Sequence, residues 1–121
     1  MISRLSLLSM ILGLFISESA ARYVCPGGKV FQDSDVRTRA DEIYSLGEQL
    51  DSQRAGQTYY RGIKFVGSKN GDYYAYEGPF YPQEESDKTY KIQVVYQTQV
   101  AYLIEVTQSQ GKYSESNCNR F

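Results

Sequence analysis

The first residues of the chain limit what the rest can fold into, because they have the pattern of a secretory signal peptide. Arg4 is the only basic residue before a nearly unbroken apolar run over 5–16, and small and polar residues follow this run. The run is shorter than the about 20 residues that a transmembrane helix needs. A basic start, an apolar stretch and a small-x-small exit direct secretion, and Ser19 and Ala21 satisfy the cleavage rule. The sequence therefore predicts a signal peptide over 1–21.

Cleavage after Ala21, with Ala20 as the alternative, leaves about 100 residues, which is enough for one domain. This domain, 22–121, contains Cys25 near one end and Cys118 near the other. Secreted proteins fold in an oxidising compartment, so the simplest pairing is one disulfide between these two residues. Closing a loop of this length contributes on the order of 4.5 kcal/mol in the chain-entropy model. Two free thiols, or a bridge to another molecule, are the alternatives.

Two residue counts restrict the chemistry that this domain can perform. The chain contains 12 tyrosines, which favour a β-rich fold with amphipathic surfaces, and it contains no histidine. The lack of histidine removes the usual acid–base catalyst at neutral pH and the commonest metal ligand. Because the two cysteines are expected to pair, we predict no metal site and no cofactor. A net charge of −1 without a basic block disfavours nonspecific binding to nucleic acid.

The order of the periodic segments predicts an α+β domain. Apolar residues at helical spacing predict one amphipathic helix over 35–50, in which Gly47 should weaken the last turn by up to about 1 kcal/mol. Segments rich in β-branched and aromatic residues predict strands over 29–31, 58–66, 73–80, 90–96 and 100–108. The helix is expected to pack across one face of an antiparallel sheet of four to five strands.

Four short motifs, in their order along the chain, resemble the small fungal guanyl-specific ribonucleases. They are YVC at 23–25, DV at 35–36, YEGPF at 76–80 and QVVYQTQVAYLIEVT at 93–107. A Tyr-x-Cys just after a signal peptide, with a cysteine near the C-terminus, also resembles the ribonuclease-like secreted effectors of powdery mildews. Those proteins are delivered into plant cells and usually lack the ribonuclease active site. This second family fits better, so the resemblance implies a microbial ribonuclease-like fold in a secreted fungal virulence effector.

The resemblance assigns four positions of the ribonuclease active site to this chain. Glu77 matches the catalytic base and is the only member retained. Arg61 falls near the first histidine, with Tyr59 near the tyrosine of that motif. Gln93 falls where the phosphate-binding arginine stood, and Val106 falls where the histidine acid stood. Loss of a general acid removes about 10²–10⁴-fold of rate, and loss of phosphate stabilisation removes a comparable factor. The resemblance therefore implies a protein that is not an enzyme, with an active guanyl-type endoribonuclease of atypical site as the alternative.

Tyrosines and cations on three predicted strands are the candidate binding surface. The candidates are Tyr59, Tyr60, Arg61, Lys64, Tyr73, Tyr74, Tyr76 and Lys91. Tyrosine is enriched in protein interfaces, so the expected partner is a host protein, a class that includes plant immune receptors. Host RNA is the other partner class, with tyrosines on the bases and Arg61, Lys64 and Lys91 on the phosphates. We expect a monomer without membrane contact. An extracellular scaffold unrelated to ribonucleases is a further alternative.

Overall fold

The computed structural model describes residues 21–54, 56–80 and 87–121, so the predicted signal peptide lies outside the described residues except for Ala21. Within these ranges the chain forms one helix and nine strands. They are α1 (Asp33–Gln53), β1 (Arg22–Val24), β2 (Val30–Gln32), β3 (Tyr59–Tyr60), β4 (Ile63–Gly67), β5 (Tyr74–Pro79), β6 (Lys88–Val95), β7 (Ala101–Ser109), β8 (Lys112–Asn117) and β9 (Asn119–Arg120). In this described part of the chain, no helix is long and apolar enough to cross a membrane.

The strands form two antiparallel sheets. A three-stranded sheet has the order β2-β1-β9, and a six-stranded sheet has the order β3-β4-β5-β6-β7-β8. Helix α1 packs against the larger sheet, chiefly on β4, β5 and β6. The predicted α+β class, with one helix on an antiparallel sheet, is confirmed. The predicted size of four to five strands is wrong, because the larger sheet has six strands and the smaller sheet adds three.

Two tight turns account for strands that the sequence did not predict. The segment 58–66 is divided into β3 and β4 by Arg61 (φ +50°) and Gly62 (φ +85°). Gln110 (φ +53°) and Gly111 (φ +76°) likewise turn the chain from β7 into β8. Positive φ at both central residues is the geometry of a type I′ hairpin turn. The usual sequence signal for that turn is Asn-Gly or Asp-Gly, which neither dipeptide provides.

A disulfide joins the two ends of the folded chain, as predicted. Cys25 follows β1, Cys118 lies between β8 and β9, and the two residues are bonded to each other. Beside the bridge, Glu105 of β7 is buried and accepts hydrogen bonds from the Gly27 N–H at 3.1 and 3.2 Å. The Tyr90 hydroxyl donates to the same carboxylate at 3.2 Å. The turn after Cys25 is therefore tied to the large sheet both covalently and by hydrogen bonds.

The core lies between α1 and the inner face of the large sheet. Helix α1 buries the stripe predicted for it, which is Val36, Ala40, Ile43, Gly47 and Leu50. On the sheet side, Tyr74 and Tyr76 of β5 are 5% and 0% exposed, and their rings contact each other edge-to-face. The prediction that these two tyrosines belong to a binding surface is therefore wrong. Alternate side chains of a strand point to opposite faces, and the pleat of β5 directs both tyrosines towards the helix and Glu77 away from it.

Gly47→Ala is expected to destabilise the domain, although alanine has the higher helix propensity. A Cβ at this position would overlap the ring of Tyr76, which is fully buried. Overpacking a core costs about 1–3 kcal/mol, whereas replacing a helical glycine gains about 1 kcal/mol at most. We expect urea unfolding to show a net loss of about 1–2 kcal/mol. Ser45→Ala, on the exposed side of α1, is the matched control and should be neutral or stabilising. A Gly47→Ala protein more stable than the native one would contradict this packing.

Candidate functional site

The face of the large sheet opposite the helix carries an open cavity of about 400 Å³. Its lining includes residues of all six strands, among them Tyr59, Lys64, Glu77, Lys91, Val106 and Tyr113. We refer to this space as the cavity. Both the glutamate assigned as the base and the valine assigned to the acid position line this cavity.

The register of the sheet brings three of the four assigned positions together. Glu77 of β5 is directly opposite Gln93 of β6, and the Gln93 Nε2 donates a hydrogen bond to Glu77 Oε1 at 2.9 Å. Directly opposite residues of an antiparallel pair share one face of the sheet. Val106 of β7 lines the same cavity as Glu77. Glu77 and Gln93 therefore lie side by side, and Glu77 and Val106 line one cavity.

Arg61 is the assigned position that the structure does not bring to the cavity. It lies in the turn between β3 and β4, and its guanidinium carbon is 5.4 Å from the ring centroid of half-buried Tyr60. Tyr59 and Gly62 line the cavity, but Arg61 is not among the described residues that do so. The type I′ turn explains the difference, because it interrupts the single strand that the sequence predicts over 58–66.

Glu77 is buried, and three side-chain donors hold its carboxylate. Only 4% of the residue is exposed. The Lys64 Nζ lies 3.1 Å from Oε2, and the Lys91 Nζ lies 2.8 Å from Oε1, which also accepts the bond from Gln93. Burial alone raises the pKa of Glu77, but the hydrogen bonds from the three donors, led by Lys91, outweigh burial and hold this pKa below its ordinary value. The carboxylate is therefore ionised at neutral pH with donors on both oxygens.

Two proton-bearing groups of the cavity, the Lys91 ammonium and the Tyr113 hydroxyl, have raised pKa values. Lys91 forms a second ion pair with Glu115 of β8, and the Tyr113 hydroxyl donates to Glu115 Oε1 at 2.7 Å. Burial lowers the pKa of the Lys91 ammonium, but its hydrogen bonds to both glutamates outweigh burial and raise this pKa above the ordinary value. The hydrogen bond to Glu115 likewise raises the pKa of Tyr113. Neither group is suited to donate a proton near neutral pH.

The charges of the cavity are balanced. Lys64 pairs with Glu77, and Lys91 pairs with both Glu77 and Glu115, so these two ammonium groups are neutralised. Sequence reasoning did not find Glu115, because only the unpredicted strand β8 brings it beside Lys91. Within 21–54, 56–80 and 87–121, no three acidic, histidine or cysteine side chains come together as metal ligands do. The cavity can offer a partner hydrogen bonds and aromatic surface.

Four exposed tyrosines lie on this face of the sheet, and we call them the tyrosine face. Their exposed fractions are 64% for Tyr59, 38% for Tyr73, 42% for Tyr102 and 59% for Tyr113. Tyr59 and Tyr113 line the cavity. The Tyr73 hydroxyl donates to Gln93 Oε1 at 2.9 Å, and Tyr102 is directly opposite Gln93. The sequence analysis named Tyr59 and Tyr73 but missed the other two. The sequence offered a signal for Tyr102, because this residue directly precedes the apolar run that β7 buries. It offered no signal for Tyr113, because β8 is exposed throughout.

Comparison of this chain with protein-family models, with curated proteins and with solved structures found no match. The resemblance to ribonuclease-like effectors therefore rests on the four motifs and on the positions assigned through them.

Proposed function

We propose that this chain is a secreted fungal effector whose ribonuclease-like domain binds a host-plant protein and does not cleave RNA. The observation that carries the proposal is the state of Glu77, a buried carboxylate held by Lys64, Lys91 and Gln93 in a cavity that the aliphatic Val106 also lines. The signal-peptide pattern and the resemblance support secretion followed by entry into the plant cell. An immune receptor belongs to the class of host proteins that such an effector meets.

The chemistry of RNA cleavage supports the lack of activity. Formation of a 2′,3′-cyclic phosphate needs a base for the 2′-hydroxyl, an acid for the departing 5′-oxygen and cations on the phosphate. Glu77 is a weakened base, because its pKa is lowered and its oxygens already accept hydrogen bonds. Val106 has no proton to donate, and the pKa values of Lys91 and Tyr113 are raised. Because the nearby ammonium groups are paired with glutamates, the phosphate would also lack free cations.

The tyrosine face supports a protein partner in preference to RNA. Tyrosine supplies a large, rigid and amphipathic contact surface, and it is enriched among the residues that dominate binding energy in protein interfaces. Binding of RNA draws instead on uncompensated cations along the backbone path. Lys64 and Lys91, which the sequence assigned to phosphates, are both paired with carboxylates. The face therefore has the aromatic component of an interface without the charge that nucleic acid requires.

A ribonuclease assay tests the first half of the proposal. The purified mature chain is incubated with a guanosine-containing dinucleoside phosphate, and an active guanyl-specific fungal ribonuclease is assayed alongside as the positive control. We expect no turnover above the uncatalysed background. Glu77→Gln is assayed in parallel, because it removes the ionised carboxylate and keeps the size of the side chain. Turnover by the native chain that disappears in Glu77→Gln would overturn the proposal.

Substitution of the tyrosine face tests the second half. Tyr59→Ser/Tyr113→Ser is expected to weaken co-purification of a host protein with the tagged mature chain from plant cells. A loss of at least about tenfold is expected, because tyrosines at interface hot spots contribute about 2 kcal/mol or more each. Val30→Ser is the matched control, since Val30 is 49% exposed on the small sheet, away from the cavity. Equal recovery of the same host protein by both variants would contradict a role for this face.

A further inference from the structure

We propose that Arg54 and Arg61, whose guanidiniums both lie over the Tyr60 ring, form a site that receives an oxyanion displayed by the protein partner. The oxyanion is a carboxylate or a phosphomonoester on a polypeptide side chain. The inference rests on the proposed function as a binding domain, and it names the chemistry of the partner. Tyr60 follows Tyr59 of the tyrosine face along the edge strand β3, and neighbouring side chains of a strand point to opposite faces, so the site lies at the edge of the tyrosine face.

Arg54 and Arg61 form no ion pair with a described residue, a property that they share with Arg22 among the described arginines. Three arginines, Arg37, Arg39 and Arg120, form salt bridges with Asp33 or Glu42. Neither Arg54 nor Arg61 has a carboxylate partner among the described residues. Their guanidinium carbons lie 3.9 Å and 5.4 Å from the centroid of the same Tyr60 ring. Two positive charges without a carboxylate partner in the described part of the chain therefore lie over one aromatic side chain.

Placement over an aromatic ring prepares a guanidinium for oxyanion binding. The ring interacts with the flat face of the guanidinium, so the N–H donors along its edge stay available. Those donors match the two oxygens of a carboxylate or a phosphate. The contact with Tyr60 also restricts the flexible side chain of Arg54, which reduces the entropy lost when a ligand binds.

The backbone of Arg61 provides a second observation. With φ at +50°, Arg61 occupies the left-handed region at the first central position of the β3–β4 turn. Asparagine, aspartate or glycine is favoured there, and a long side chain gains nothing for the turn itself. Residues held in such sparsely populated conformations cluster at ligand-binding sites. The turn therefore carries an arginine at a position where asparagine, aspartate or glycine would favour the turn more strongly.

The charge distribution favours an oxyanion on a protein over a nucleic acid. Nucleic-acid surfaces carry a stripe of basic residues along the backbone path. Beside Arg61, the next cation along the chain is Lys64, which is paired with Glu77, and the whole chain carries a net charge of −1. Two guanidiniums over the half-buried Tyr60 ring fit one or two acidic groups, which is how arginine clusters recognise acidic and phosphorylated motifs.

Fluorescence anisotropy with labelled octapeptides tests the site. The probes share one sequence with a central glutamate pair, a central phosphoserine or a central glutamine pair, and a uridine oligonucleotide of equal charge is included. We expect the acidic probes to bind the mature chain at least about tenfold more tightly than the glutamine probe, as charge-assisted hydrogen bonds do. The tighter of the two acidic probes identifies the source of the oxyanion. Tighter binding of the oligonucleotide, or equal binding of the glutamine probe, would overturn the proposal.

Variants locate the binding. Arg61→Asn creates the favoured type I′ pair with Gly62, so it should fold at least as well as the native chain and still lose the preference for acidic probes. Arg54→Gln should lose the same preference. Gln110→Asn makes the same change at the turn between β7 and β8, and Arg22→Gln removes an arginine that lies over Phe121; both should bind as the native chain does.

Unchanged binding in Arg61→Asn and Arg54→Gln would also refute the site. That result would leave the proposed function standing if Tyr59→Ser/Tyr113→Ser still lost the host protein. Turnover of RNA, in contrast, would overturn the proposed function whatever the peptides do.

Discussion

Removal of the disulfide is expected to lower the free energy of unfolding by about 3–4.5 kcal/mol. Cys25 and Cys118 are 93 residues apart in sequence, so the bridge restricts nearly the whole described chain when it is unfolded. The chain-entropy model gives on the order of 4.5 kcal/mol for such a loop, and measured values are commonly somewhat lower. Both cysteines are buried, at 2% and 9% exposed. We therefore choose Cys25→Ala/Cys118→Ala over serine substitutions, because a serine would place an unpaired hydroxyl in the core. A domain of this size has only about 5–15 kcal/mol in total, so the loss is large.

Denaturant unfolding measures this loss. The dependence of the unfolding free energy on urea should also become steeper in the double variant, because an unfolded chain without the bridge exposes more surface. The native chain treated with a phosphine reductant should approach the double variant, while the double variant should not respond to the reductant. The hydrogen bonds from Gly27 to Glu105 remain in both proteins, so we expect a cooperative folded state to persist. A loss below about 1 kcal/mol would show that the bridge constrains little.

Local sequence patterns predicted the helix, which buries one stripe, and the central strands, which are rich in β-branched and aromatic residues and are largely buried. The spacing of Val36, Ala40, Ile43 and Leu50 marked the buried stripe of α1. Strand β8 could not be predicted in this way, because all its residues are exposed and no alternation of polar and apolar residues marks a buried face. The turns that create extra strands were also missed, because arginine or glutamine occupies the left-handed position before glycine in each.

The candidate site was predictable only where it depends on neighbouring strands of one hairpin. Glu77 and Gln93 are opposite each other because the segments carrying them pair directly. The ion pair of Lys91 with Glu115 needs β7 and β8 to be placed first, so no local pattern signals it. The prediction of which tyrosines are exposed was wrong for another reason. In YYAY the alternation is clear but its phase is not, and only the packing of Tyr76 against Gly47 decides which tyrosines face the helix.

Lys91→Met is expected to destabilise the domain strongly at pH 7, by about 3–5 kcal/mol. The substitution keeps an apolar stem of similar length and removes the ammonium shared by Glu77 and Glu115. Removal of one partner from a buried ion pair is strongly destabilising, and Glu77, which is 4% exposed, would keep only the partly exposed Lys64 and the neutral Gln93. Lys64→Met is the matched comparison at the same carboxylate. Because the Lys64 side chain is 58% exposed, its pair should contribute about 1 kcal/mol or less.

The loss in Lys91→Met should shrink as the pH falls. In the native chain the pKa of Glu77 is lowered, so the stability that Glu77 contributes is present above its unfolded pKa of about 4.3 and is lost as the pH falls through the folded pKa. The pKa of Lys91 is raised, so its own contribution is fully present throughout this acidic range. In Lys91→Met, burial raises the pKa of Glu77 with less opposition, and protonation then relieves the buried charge.

Urea unfolding at pH 7 and pH 4 separates electrostatics from packing. A loss that is large at pH 7 and clearly smaller at pH 4 indicates that the ammonium compensates a buried carboxylate. An equal loss at both values would mean that only the stem of Lys91 matters, and it would remove the argument that Glu77 is held as a structural anion. Lys91→Met/Glu77→Met provides a second check, because replacing both members of a buried pair by apolar residues should recover most of the stability. If the carboxylate is structural, Lys91→Met should still cleave no RNA, since Val106 offers no proton to the leaving group.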